Sequence, residues 1–230
     1  MTESANYRHE IKYPVTTAQL RMLETRLHRL IPLDRNAGER GGYQIRSLYF
    51  DDLYDSCLRE NQEGTDPREK FRIRIYNHSA DRITLECKRK ERGKNLKSSC
   101  PLTLEQTRCL MAGRPLPDIG TQPPLLQKLS VQMLTRQLRP KVIVEYFRVP
   151  YVYPNGNVRI TLDTNISSSR EIARFLDSRI PTRPVMPLGQ QLLEVKYDAY
   201  LPDFIYHSLS LGSLSPTAFS KYSLCRRYTK

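Results

Sequence analysis

The chain has 230 residues, 27% of them charged, and a formal net charge of +13. That length suits one large domain, so residues 1–230 are read as a single unit. So basic a balance is unusual for an average metabolic enzyme and implies an anionic partner: nucleic acid, a membrane surface or a phosphate ligand.

In chain order, residues 8–13 alternate apolar and polar side chains in the two-residue rhythm of a strand. Leu20, Leu23, Leu27 and Leu30 then follow helical spacing, with Thr16 or Thr17 as N-cap. Alternation returns at 44–50, at 71–76 and at 82–90, the last two joined by the loop 77–81. One more strand is expected at 98–102, followed by a short helix at 104–111 and a proline-rich loop at 113–124. The pair Pro123-Pro124 opens a helix over 125–138. Strands at 142–149 and 158–163 flank Pro154-Asn155-Gly156-Asn157, a tight hairpin whose Asn-Gly supplies the positive φ angles such turns need. A helix at 169–176, a proline-rich loop at 181–187, a strand at 192–198 and a helix at 203–211 complete the order. About eight short, antiparallel strands with amphipathic helical covers give an α+β fold built on a β-barrel.

The N-terminal residues 1–10 lack the apolar core of a secretory signal, and no run of about 18 apolar residues occurs, so a soluble, cytoplasmic protein is expected. Cys57, Cys87, Cys100, Cys109 and Cys225 form no C-x-x-C pair and are read as reduced and structural. His9, His28, His78 and His207 show no metal-ligand spacing and are read as structural or surface residues. Of the many tyrosines, Tyr43, Tyr54 and Tyr200 are assigned to the barrel wall or its helices.

Reading the strands as pleated ribbons places Arg8, Glu10 and Lys12 on one face, then Arg72, Arg74 and Tyr76, then Thr84, Glu86, Lys88 and Lys90. Tyr146 and Arg148, then Arg159, Thr161 and Asp163, then Glu194 and Lys196 continue it. Such a face is either the solvated side of an open sheet or the lining of an enclosed space. Residues two apart on a face sit about 6–7 Å apart. Arg72 and Arg74 therefore repel by about 0.6 kcal/mol in water, but by about 2.5 kcal/mol at an effective dielectric of 20. Inside a barrel, that repulsion demands an anion. The sequence has neither G-x-x-x-x-G-K-[ST] nor G-x-G-x-x-G, so phosphate would be held by side chains, arginine forks above all.

The segments R-H-E-I-K-Y, F-R-I-R-I-Y, L-E-C-K, E-Y-F-R, R-I-T-L-D, L-E-V-K and F-S-K-Y, in that order, resemble the VTC domain of polyphosphate polymerases, within the triphosphate tunnel metalloenzymes. The resemblance runs from about residue 7 to residue 228. It implies a closed eight-stranded antiparallel tunnel, helices on the outside and a C-terminal helix at the tunnel. It implies that Arg72, Arg74, Lys88, Arg148 and Arg159 act on the transferred phosphoryl group. Lys12, Lys97, Tyr146, Lys196, Ser220 and Lys221 would hold phosphates, and Glu194 a divalent metal, manganese or magnesium. The implied reaction moves the terminal phosphoryl group of ATP onto a growing polyphosphate chain. Triphosphatase action, or binding of polyphosphate or RNA without turnover, are the alternatives, and no specific nucleic acid is expected. Tunnel hydrolases open with E-x-E-x-K, where this chain has Arg8 first, a change that weakens metal binding and strengthens phosphate binding. Any export of product would need a separate membrane protein.

Overall fold

The computed structural model describes residues 8–210 and 213–228. Its framework is one antiparallel sheet: β1 (His9–Thr16), β2 (Tyr43–Asp51), β3 (Arg68–Tyr76), β4 (Ser79–Glu91), β5 (Lys94–Leu102), β6 (Arg139–Tyr153), β7 (Val158–Ser169), the two-residue β8 (Arg183–Pro184) and β9 (Gln190–Tyr197). The strand order is β1-β9-β7-β6-β2-β3-β4-β5, with β8 on β7.

The sheet curls strongly but does not close. Its outer strands β1 and β5 meet at a single bridge, where Arg8 and Asn95 exchange backbone hydrogen bonds of 3.2 and 3.3 Å. Beyond it the edge of β1 is taken by the C-terminal segment: Thr217 N–H donates to the Lys12 carbonyl at 2.9 Å. The expectation of a closed barrel is corrected accordingly, because that carbonyl is no longer free to continue a ladder with β5.

Helices cover the convex side. Thr16 and Gln19 form a capping box at the start of α1 (Thr17–Leu30), which buries Leu20, Leu23 and Leu27 against Ile160, Leu162, Leu193 and Val195. A second apolar cluster joins Phe71, Ile73, Ile75 and Leu85 to Leu110 of α3 (Leu104–Met111) and to Leu126, Leu129 and Met133 of α4 (Pro124–Thr135). The helix expected to reach residue 138 stops earlier, since Gln137 takes a φ of 55° and β6 begins at Arg139. At 169–176 the expected helix is replaced: β7 runs on to Ser169, and only one 3-10 turn, Ile172–Arg174, follows. The loop expected at 181–187 contributes β8. The helix expected at 203–211 forms as α5 (Asp203–Ser208), and residue 211 lies outside the described residues.

The concave side is divided in two. At one end Ile45, Val142, Val144 and Leu192 receive Tyr222 and Cys225 of α6 (Lys221–Arg227) together with Cys57 and Leu58 of α2 (Ser56–Glu63). Buried Asp51 anchors both helices. It accepts the backbone N–H groups of Cys57 and Leu58 at 2.9 and 3.1 Å, and also the Tyr222 hydroxyl. Helix α6 therefore closes part of the hollow and leaves the rest as a lumen. No helix among the described residues is long and apolar enough to cross a membrane.

Candidate functional site

The lumen is a cavity of about 660 Å³. The twelve positions to which the resemblance assigns phosphate or metal, Lys12, Arg72, Arg74, Lys88, Lys97, Tyr146, Arg148, Arg159, Glu194, Lys196, Ser220 and Lys221, all line its wall, whereas Thr84, Glu86, Thr161 and Asp163 of the same face do not. Alternation explains the convergence. On β2, β3 and β6 the apolar partners Leu48, Ile73 and Ile143 point outward to the helices, so Tyr49, Arg72 and Val144 must point inward. Among the described residues thirteen lysines and arginines line the cavity against three carboxylates, Glu10, Glu63 and Glu194. Four more, Asp34, Glu86, Asp163 and Asp198, lie outside the lining set but pair with lining cations, leaving a surplus of six positive charges.

The ion pairs fall into groups. Glu10 sits among Lys88 at 2.7 Å, Lys12 at 3.0 Å and Lys196 at 3.7 Å. Glu194 meets Lys196 at 2.9 Å, Arg148 at 3.6 Å and Lys12 at 3.8 Å. Glu86 takes Arg72 at 2.6 Å, Lys97 at 3.4 Å and Arg74 at 3.6 Å. Asp163 grips Arg148 through two 2.7 Å hydrogen bonds and holds Lys221 at 2.6 Å. Arg159 donates to the Tyr43 hydroxyl at 2.8 Å and pairs with Asp34 at 2.8 Å. Tyr146 lies under two cations, Lys221 at 4.7 Å and Arg148 at 5.3 Å from the ring centre, and its hydroxyl accepts from Arg74 at 3.3 Å. The carboxylates hold the forks in fixed orientations without neutralising the lumen.

Protonation follows from this crowding. Burial alone would raise the pKa of Glu10, but Lys196, Lys88 and Lys12 outweigh it and hold it well below the ordinary carboxylate value. Glu194 and Glu86 are likewise depressed, burial being overcome by Lys196 and Arg148 in the first case and by Arg72 and Arg74 in the second. Burial and neighbouring cations lower two lysines: Lys88 to about 8, despite Glu10, and Lys70 to about 7. The Tyr146 hydroxyl is lowered, since Arg148, Arg74 and Lys221 prevail over its burial.

A divalent cation is the group the resemblance implies. Among the described residues no three His, Cys, Asp or Glu side chains are placed to share a metal ion. One oxygen of Glu194, however, is buried without a hydrogen-bond donor in good geometry, although Lys196 lies 2.9 Å away. A single carboxylate fits a magnesium-like ion that brings its own phosphate oxygens and water, and does not fit an all-protein cage. Arg8, which stands where hydrolases carry a glutamate, turns to the rim. It pairs with Asp198 at 2.8 Å and donates to the Asn157 carbonyl.

Several lining residues were not expected. Lys70 continues the Arg72 and Arg74 face one step earlier and Arg68 two steps earlier, beside Lys90 of the face already read on β4. Extending the alternation back by three residues, to the start of β3, takes in both. Tyr43, assigned to the wall, lines the lumen, whereas Tyr54 and Tyr200 are exposed. The segment 217–219 also contributes: Lys12 Nζ donates to the Phe219 carbonyl at 2.8 Å. Local sequence gives no signal for that contact.

No curated protein matches the chain. Solved structures share its architecture, the triphosphate tunnel fold. The candidate adenylate cyclase bh2851 from Bacillus halodurans is 18% identical with a TM-score of 0.54, covering 91% of this chain and 94% of its own. The candidate adenylyl cyclase HpAC1 from Hippeastrum, described as having a dominant triphosphatase activity, is 12% identical with a TM-score of 0.55, covering 97% and 96%. The PH1012 protein from Pyrococcus horikoshii is 11% identical with a TM-score of 0.51, covering 94% and 98%. Family-level similarity is more specific: the VTC domain model matches residues 7–230, and the chain belongs to that family.

Proposed function

We propose that the chain works as one tunnel domain that transfers the terminal phosphoryl group of ATP to the end of a polyphosphate chain in its lumen. The observation that carries this reading is the surplus of six positive charges around the hollow of the curled sheet. In low dielectric that surplus is costly until an oligophosphate enters.

In the reaction, a terminal oxygen of the chain forms a bond to the γ-phosphorus as the bond to the departing ADP oxygen breaks. Charge spreads over the transferring oxygens, and catalysis consists of orientation and charge stabilisation. Arg72, Arg74, Lys88, Arg148 and Arg159 neutralise that charge. Lys12, Lys97, Tyr146, Lys196, Ser220 and Lys221 hold the flanking phosphates in line. Glu194 would hold a manganese or magnesium ion, which supplies further charge neutralisation when bound with phosphate. Because Asp163 and Glu86 fix the forks of Arg148 and Arg72, little reorganisation is needed when the guest arrives.

A second reading, hydrolysis of triphosphate, draws on Glu10 and Glu194 lying in the same lumen. A separate membrane protein would carry any product out of the compartment in which it is made, and copurification from membranes tests that pairing. Incubation of the purified protein with ATP and manganese separates the enzymatic readings. Polyphosphate is expected; orthophosphate without chains would assign a triphosphatase, and undiminished ATP binding without either product would reject both.

A further inference from the structure

The lumen has a second group of cations outside the set just described. At the end framed by the start of β3, the end of β4 and the last turn of α2, the wall is lined by Arg68, Lys70 and Lys90. Strand register sets Arg68 directly opposite Lys90 and Lys70 opposite Lys88, and Lys88 faces Lys97 on β5. Like charges directly opposite one another destabilise a sheet. Carboxylates relieve part of this row: Glu10 takes Lys88 at 2.7 Å and Glu86 takes Lys97 at 3.4 Å. Among the described residues, Arg68, Lys70 and Lys90 are the lining cations with no carboxylate at ion-pair distance.

Hydrogen bonds tie the surrounding segments together. Asp66 accepts the backbone N–H groups of Arg92 at 3.0 Å and Gly93 at 3.2 Å, which ties the β4–β5 turn to the segment preceding β3. Lys70 Nζ lies 3.5 Å from the Ser220 hydroxyl and 5.4 Å from the centre of the Tyr222 ring. Burial, with Lys88, Arg68 and Lys12 nearby, lowers its pKa to about 7, as expected for a cation awaiting a counter-charge.

Length and surface chemistry identify the guest. Along β3 the row from Arg74 to Arg68 spans about 20 Å. A triphosphate covers less than half of that, so one molecule cannot engage both ends. A polynucleotide would need open aromatic faces for its bases. Here Tyr49 and Tyr222 are covered, by Arg72 at 5.7 Å, by Lys70 at 5.4 Å and by each other at 5.1 Å.

We propose that Arg68, Lys70 and Lys90 form a second anion subsite for the part of a linear oligophosphate that extends beyond the phosphates held at Arg72, Arg74 and Arg148. The subsite rests on the phosphate-chain reading of the lumen. It makes the protein sensitive to chain length.

Calorimetric titration with triphosphate and with a linear decaphosphate tests it, on the wild type, on the double variant Arg68→Gln/Lys90→Gln, and on Lys70→Gln and Lys70→Arg. The Gln variants should lose decaphosphate affinity on the order of tenfold and triphosphate affinity far less, with Lys70→Arg restoring the loss. Equal losses for the two ligands, or none for decaphosphate, would overturn the subsite while leaving the lumen reading intact. A single-stranded oligonucleotide of equal charge that depends on the same residues would overturn its assignment to oligophosphate. Failure of the wild type to bind triphosphate at all would overturn the lumen reading and the subsite with it.

Discussion

Asp163→Asn separates the structural cost of the lumen from its purpose. Asp163 is fully buried, and its carboxylate holds two cations, Arg148 and Lys221, at 2.7 and 2.6 Å. Opposite charges about 4 Å apart attract by about 4 kcal/mol at an effective dielectric of 20. Asparagine keeps the shape and loses the charge, so among the described residues the carboxylate left to Arg148 is Glu194, at 3.6 Å. Removing one partner of a buried ion pair costs about 3–5 kcal/mol, a large share of a typical domain's stability. The two released cations also add to the surplus in the lumen, so triphosphate should stabilise the variant more than the wild type. Urea unfolding measures both effects, followed by circular dichroism because the chain has no tryptophan. For scale, a ligand at a hundred times its Kd stabilises by about 2.7 kcal/mol. A loss below about 1 kcal/mol, or a smaller triphosphate gain in the variant, would refute the reasoning.

A Cβ added at Gly42 would lie 2.3 Å from the Arg148 carbonyl and 2.9 Å from the Phe147 ring. Gly42→Ala should therefore destabilise by about 1–3 kcal/mol in thermal unfolding and weaken triphosphate binding by displacing Arg148. Glu194→Gln should abolish manganese dependence of turnover while leaving metal-free triphosphate binding equal or tighter, read by calorimetry. Glu10, Glu86, Asp163 and Glu194 have depressed folded-state pKa values, so their stabilisation is complete above the unfolded carboxylate range. It should fall away as pH drops below about 4, seen as a declining urea midpoint. Lys70, lowered to about 7 in a setting of Lys88, Arg68, Lys12, Ser220, Tyr222 and Cys57, is mostly neutral at pH 8. Decaphosphate binding there should take up protons, measured across buffers of different ionisation enthalpy, and Lys70→Gln should remove part of that uptake, Lys88, lowered to about 8, supplying the remainder.

The lumen was legible in the sequence because a half-buried strand must alternate, and Ile73 and Ile75 facing helices leave Arg72 and Arg74 facing inward. The same rule reaches Lys70 and Arg68, but no large apolar residue at position 69 marks the strand's continuation, since Glu69 stands there. Strand β5 was read from residue 98 when it starts at Lys94, because its first residues are an exposed polar edge without apolar rhythm. Helix α2 was missed altogether. Asp55 at its N-cap makes no side-chain capping bond, and its first turn is instead held by Asp51 on the preceding strand. The open seam between β1 and β5 depends on the pairing of Thr217 with Lys12, two positions far apart in the chain.

The most direct test of an oligophosphate guest is a crystal structure of the protein soaked with triphosphate. Phosphate oxygens are expected within hydrogen-bond distance of Arg72, Arg74 and Arg148, with those arginines still oriented by Glu86 and Asp163. Triphosphate bound only on the convex, helix-covered side, with the lumen holding water, would contradict the account.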